Sequence, residues 1–443
     1  MRKIAFYTLG CKVNQADTAS MEGIFRASGY EVVPFGEPAD VYLVNTCVVT
    51  NTGQRKSRQI INRAVRHNPL SLVVVTGCYP QTAPEEVRAI EGVDVIIGNQ
   101  ERGRIVELVE EALEHKRTEI LDNVQQMTVD TKFEELGVGT ETDKTRAFLK
   151  IQEGCNQYCT YCIIPYIRGN YRSVPMDELV TSAEELVAGG VKELILVAQE
   201  TTLYGVDLYG KKCLHELLDR LNGISGLFWI RIMYCYPEEI YEELIDSMIK
   251  DKKVCHYLDM PIQHASDAIL KRMGRRTSRQ ELIDIITKLR KEIPDIALRT
   301  TLITGFPGET QEDHEQMMEF VDSMEFDRLG VFTYSPEEGT PAAEMDNQID
   351  EEVKEQWRDE VMELQQEVSL DKSADMVGKT IEVMIEGKIS DDEAYVGRSY
   401  KDAPNVDGFV FVNTTANLMS GAIVHVEITG AMEYDLIGSL VED

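Results

Sequence analysis

The sequence has no apolar run near the ~18 residues that a membrane-spanning helix requires. Its start, Met1-Arg2-Lys3-Ile4-Ala5-Phe6-Tyr7-Thr8, turns polar too early for a secretion signal, so a cytoplasmic location is expected. Cations are scarce: 45 Lys and Arg stand against 77 Asp and Glu, a net charge of −32. That balance opposes nonspecific binding to a polyanion and favours a neutral or basic partner. There is no serine or cysteine triad pattern, no internal repeat and no low-complexity tract. Nine cysteines in 443 residues, an odd number without a secretion signal, indicate reduced thiols used for metal or catalysis rather than a disulfide framework.

What is present is enough apolar sequence, 43%, to bury several cores, in a length that suits two or three domains. The order of the pattern is α/β. Residues 3–9, 40–46, 71–76 and 93–97 read as buried strands separated by amphipathic stretches, the layout of a parallel sheet in a three-layer domain. The polar, acidic stretch that follows loses periodicity and reads as a linker. A second strand-helix series then places strands at 148–152, 193–198, 229–234, 257–262, 297–304 and 328–334, as in a (βα)6 part-barrel whose active site sits at the strand C-terminal ends. A charged amphipathic helix over 350–373 precedes short alternating runs at 380–385, 408–412 and 423–428, which read as a small β-barrel. The domains are expected at 1–118, 141–371 and 374–442, with the linker at 119–140.

The sharpest chemical signal is Gly154-Cys155-Asn156-Gln157-Tyr158-Cys159-Thr160-Tyr161-Cys162, just past the first barrel strand. Three thiolates on one tight loop can bind three irons of a 4Fe-4S cluster and leave the fourth iron open to a reactant. A structural zinc site is the alternative, but it needs four closed ligands and nothing nearby supplies the fourth. A second constellation is Cys11, Cys47 and Cys78. Each closely follows the C-terminal end of an expected parallel strand, where open α/β sheets build their ligand sites. Any one of them alone reads as a buried thiol; three at the same topological position point to a second cluster. Cys213, Cys235 and Cys255 lack ligand spacing and read as structural.

Other features are less specific. Gly305-Phe306-Pro307-Gly308-Glu309 ends the fifth barrel strand and fits either a close backbone approach to a ligand or a plain βα turn. Arg55, Lys56, Arg58, Arg63 and Arg66 make a basic helical stretch suited to RNA phosphates or to a solvated helix face.

The CxxxCxxC loop, with Tyr161 directly before its last cysteine, resembles the radical S-adenosylmethionine (SAM) signature. With Cys11, Cys47 and Cys78 in front and the small barrel behind, nearly the whole chain resembles the methylthiotransferase family. The resemblance implies a TRAM domain at the C-terminus, two 4Fe-4S clusters and SAM. One cluster, on Cys155, Cys159 and Cys162, would cleave SAM to a radical that abstracts hydrogen from an unactivated C–H bond. The other, on Cys11, Cys47 and Cys78, would deliver sulfur, and a second SAM the methyl group. It also implies a reductant of flavodoxin or ferredoxin type. Gln199 and Glu200, ending the second barrel strand, are placed to contact SAM polar groups.

Two branches of the family are represented. Residues 7–15 and 45–51 resemble the branch that modifies threonylcarbamoyladenosine in tRNA. Residues 199–205, 234–237, 261–267 and 397–404 resemble the branch that methylthiolates the β-carbon of an aspartate in ribosomal protein uS12. Charge separates the two. After Ala374, four cations stand against thirteen carboxylates, a balance of minus nine, which repels RNA phosphates and suits a basic ribosomal protein. The expected substrate is therefore uS12, with tRNA as the alternative. A noncatalytic iron-sulfur carrier is the competing reading of another class, and the open iron of the barrel loop argues against it.

Overall fold

A computed structural model of the chain describes all residues except 49–50, 115–119, 129–130, 135, 138–144, 390–392 and 442–443. Three sheets organise it, and their order along the chain matches the expected α/β class.

The first sheet is parallel, with strands β1 (Lys3–Thr8), β2 (Glu31–Val33), β3 (Val41–Thr46), β4 (Leu72–Gly77), β5 (Val95–Ile97) and β6 (Leu121–Asn123) in the spatial order β2-β1-β3-β4-β5-β6. β3 and β4 read VYLVNT and LVVVTG and are buried along their whole length. Runs rich in β-branched residues suit central parallel strands covered on both faces. Helices α1 (Lys12–Ala27) and α2 (Asn51–His67) follow β1 and β3. The sequence did not announce β2 or β6, which are three-residue edge strands too short to show a period. β6 also falls inside the stretch expected to be linker at 119–140, part of which lies outside the described residues.

The second sheet carries β7 (Arg146–Lys150), β8 (Glu193–Val197), β9 (Trp229–Ile232), β10 (Val254–Asp259), β11 (Ala297–Thr304) and β12 (Arg328–Thr333), all parallel and neighbours in sequence order. It is the six-stranded part-barrel expected, open between β7 and β12. Open edges invite foreign strands, and both are covered here. Helix α1 packs along β7, and a long helix over Glu351–Ala374 packs along β12. That helix runs past the expected domain end at 371. Its Gln365 side-chain amide donates to Phe326 O at 2.8 Å.

The third sheet is a closed antiparallel-rich barrel of β13 (Thr380–Lys388), β14 (Ala394–Arg398), β15 (Val410–Asn413), β16 (Ile423–Ala431) and β17 (Leu436–Leu440). The inner face of the part-barrel is closed from both sides. Phe148, Ile195, Val197, Trp229, Met233 and Tyr257 form one buried cluster with Val13 and Ala16 of α1 and with Met384 and Ala403 of the third unit. Buried charge seals the same contact. Glu193 accepts from Arg231 Nε at 2.7 Å and from Arg398 Nη2 at 2.6 Å, with all three side chains fully buried. No helix among the described residues is long and apolar enough to cross a membrane.

Candidate active site

The parallel register brings the first cysteine trio together. Thr8 pairs with Asn45 and Thr46 with Gly77, so β1, β3 and β4 end at one level, and Cys11, Cys47 and Cys78 follow within three residues. Cys11 caps α1, and Cys78 opens the short helix Cys78–Thr82. Gly10 and Gly77 make the close approach possible. Gly10 sits at φ +98°, and a Cβ there would meet Cys47 Sγ at 2.8 Å; Gly77 sits at φ +97°, and a Cβ would meet Asn45 Oδ1 at 2.4 Å. Only glycine accepts both that dihedral and that crowding.

Two asparagines tie the loops. Asn14 Nδ2 donates to Leu9 O and Thr46 O at 2.8 and 3.0 Å, and Asn45 Nδ2 donates to Asn14 O at 3.0 Å. Burial pushes the Cys11 thiol up, with Arg168 opposing.

The second trio sits on the loop between the two-residue strand Gln152–Glu153 and the helix Ile164–Arg168. Gly154, at φ +83°, presses against Asn170 O, where a Cβ would lie at 2.1 Å. Its N–H donates to Gln199 Oε1 at 2.7 Å. Cys162 N–H donates to Cys159 O at 3.0 Å, and Thr160 N–H to Met273 O at 2.9 Å. The loop is thus tied at its start to the end of β8 and at its middle to the C-cap of the helix Asp267–Arg272. Burial pushes the Cys162 thiol up to about 12 and the Cys155 thiol higher still. Cys11, Cys155 and Cys162 therefore favour the neutral thiol until a cation compensates.

Glu200 is fully buried beside the loop. Its Oε1 accepts from Thr202, while its Oε2 has no partner within the protein. Burial pushes its carboxyl up to about 8. Gly305, by contrast, is spent on packing: a Cβ there would meet Lys354 Cγ at 2.0 Å. With Phe306 N–H donating to Glu309 Oε2 at 2.9 Å, that segment is a packed βα turn. Cys213 and Cys235 lie in the main barrel core and Cys255 in the inner-face cluster.

All nine cysteines are free. Among the described residues, no three His, Cys, Asp or Glu side chains are arranged around a single ion. Each trio is an all-thiol donor set, the chemistry that suits an iron-sulfur cluster.

The two trios share one interface. Cys78 and Val48, the neighbour of Cys47, pack in one cluster with Ile163, the neighbour of Cys162, and Ile167. A cleft of 480 Å³ lies beside this cluster, lined by Val48, Thr82, Glu85, Ile163, Glu337 and Glu338. Sequence reasoning gave no site role to Arg168, or to Tyr234 and Tyr236 within the 234–237 segment it singled out, because each reaches a cysteine site that is distant along the chain.

Similarity to known proteins agrees with this architecture. Residues 3–98 match the uncharacterized protein family UPF0004, residues 149–321 the radical SAM superfamily and residues 377–441 the TRAM domain. A protein of Lachnoclostridium phytofermentans called ribosomal protein uS12 methylthiotransferase RimO is 52% identical over 99% of both chains. The chain belongs to the RimO methylthiotransferase family. A RimO of Clostridioides difficile is 44% identical over 100% of this chain and 99% of its own.

Among solved structures, the radical SAM methyltransferase TsrM of Kitasatospora setae superposes with a TM-score of 0.56 at 16% identity, over 77% of each chain. The radical SAM enzyme OxsB gives 0.53 at 12% identity, over 83% of this chain and 56% of that one. At such identities the likeness extends to the fold. Membership of the radical SAM superfamily implies a 4Fe-4S cluster and SAM in a RimO-type methylthiotransferase.

Proposed function

We propose that this enzyme works in the cytoplasm and replaces a hydrogen on the β-carbon of an aspartate in ribosomal protein uS12 by a methylthio group. Cys155, Cys159 and Cys162 hold one 4Fe-4S cluster and Cys11, Cys47 and Cys78 a second. The placement of both trios at one interface carries this reading, because hydrogen abstraction and sulfur delivery must reach the same carbon.

When bound, the first cluster supplies the electron that splits SAM into methionine and a hydrogen-abstracting radical, and the second supplies sulfur. The protein's own groups do the positioning. Gln199 locks the start of the cysteine loop through Gly154. The free Oε2 of Glu200 suits an ammonium group such as that of SAM, and a cation there ionises the carboxyl that burial holds neutral. Val48 and Ile163 supply the apolar part of the cleft lining. A flavodoxin- or ferredoxin-type protein supplies the electrons.

The full-length similarity to proteins named for uS12 includes the N-terminal unit, so the tRNA reading is not favoured. Charge supports the same choice. Of the four cations after Ala374, Arg398 is buried against Glu193 and Glu386, and Lys401 faces Asp327 at 3.9 Å. In the basic helix, Arg58 is paired with Glu86 at 3.0 Å and Arg63 lies over Phe35. These pairings reduce the cationic surface open to phosphates, whereas the glutamate-lined cleft suits a basic protein segment.

Mass spectrometry of uS12 and of tRNA nucleosides from cells lacking the gene tests the proposal. The methylthio group should vanish from uS12 and persist on tRNA; the reverse result would refute the assignment.

A further inference from the structure

Arg168 is a fully buried guanidinium that the proposed reaction leaves without a task. It lies on the helix that follows Cys162, yet it reaches into the other trio: its Nη2 is 3.8 Å from Cys78 Sγ and 2.5 Å from Asn14 Oδ1. Its Nη1 donates to Glu153 Oε1 at 2.7 Å and Asp17 Oδ2 at 3.1 Å. Around it, Arg102 Nη1 meets Asp17 at 2.6 Å and Lys150 Nζ meets Asp17 at 2.6 Å, while Arg102 Nε meets Glu134 at 3.1 Å.

The group therefore holds three cations, Arg102, Lys150 and Arg168, and three carboxylates, Asp17, Glu134 and Glu153. It is neutral as a set. A salt bridge that only joined two domains would be complete with Asp17 and Glu153. Here half of the guanidinium fork is turned instead toward Cys78 and toward Asn14, the residue that ties the Cys11 and Cys47 loops.

We propose that Arg168 is a positioning residue that sets the reduction potential of the cluster on Cys11, Cys47 and Cys78, by donating to the Cys78 sulfur and by cancelling the buried carboxylates beside it. The inference rests on the reading that this trio holds a cluster. Hydrogen bonds to ligand sulfurs and the net charge nearby both act on cluster potentials. Without Arg168 a buried negative charge would stand uncompensated next to the trio, and adding an electron there would be harder.

The test uses the full chain carrying Cys155→Ala, reconstituted anaerobically, so that electron paramagnetic resonance during a redox titration reads the remaining cluster alone. Arg168→Gln should keep about four irons and move the midpoint to a more negative potential; Arg168→Lys, which keeps the charge, should stay near the parent. Iron lost from Arg168→Gln but kept at the parent potential in Arg168→Lys would also support the assignment. An unshifted midpoint in Arg168→Gln, or iron lost from both variants, would overturn it. A Cys155→Ala parent without iron would overturn the two-cluster reading and this inference with it.

Discussion

The phenol oxygen of Tyr236 lies 3.5 Å from Cys159 Sγ. Two residues earlier, the phenol of Tyr234 accepts the backbone N–H of Lys12, next to Cys11, at 3.5 Å. One short segment after β9 thus touches both cysteine sites. Tyr234 takes φ +62°, a left-handed conformation that a bulky residue adopts only when its surroundings impose it. Arg275 lies over the Tyr236 ring, 4.3 Å from its centroid, and fixes the second phenol.

Removing that hydroxyl should loosen the barrel loop's hold on iron. A hydrogen bond to a charged acceptor is worth about 1.5–3 kcal/mol, so Tyr236→Phe is expected to lose iron to a chelator on the order of ten times more readily than the parent. Chelator challenge followed by iron quantification checks this, with the iron of the N-terminal trio unchanged.

The two trios should also separate by mutation. Cys155→Ala is expected to abolish deoxyadenosine formation from SAM while about four of about eight irons remain. Cys47→Ala should retain SAM cleavage and lose methylthio transfer. Loss of all iron in either variant would show that the sites are not independent.

The contact between part-barrel and tail should fail in acid. Burial pushes the Glu193 carboxyl up, but Arg398 and Arg231 outweigh it and hold it down at about 2, against an ordinary 4.5. A depressed folded value means that this stabilisation, about 3 kcal/mol, is present above pH 4.5 and is lost as pH falls toward 2. Glu193→Gln removes the carboxylate shared by two buried guanidinium groups, leaving Arg231 without an ion partner and Arg398 with Glu386 alone, and should cost about 3–5 kcal/mol. Its thermal unfolding should be correspondingly less dependent on pH across that window.

Substrate capture should depend on acidic surface. Glu382 and Glu427 are exposed on adjacent strands of the small barrel. The double reversal Glu382→Lys and Glu427→Lys is expected to weaken binding of purified uS12 several-fold at low salt and to leave SAM cleavage unchanged. Binding measured at rising ionic strength should bring parent and variant together.

Much of this was legible along the chain because the relevant signals are local. The VYLVNT and LVVVTG runs declare buried parallel strands, and the CxxxCxxC spacing places three thiols on one loop whatever surrounds it. The glycines before Cys11, Cys78 and Cys155 mark the turns that carry those thiols. What the sequence determined by itself was thus the longer elements and the thiols available as ligands.

Only the tertiary structure decided what stands between them. Arg168 meets Cys78 across ninety positions of chain, and Tyr236 meets Cys159 across seventy-seven. Gly305, which could have faced a ligand, faces Lys354 instead. Such contacts depend on how α1 and the small barrel close the inner face of the part-barrel, a packing of distant side chains that no local period encodes.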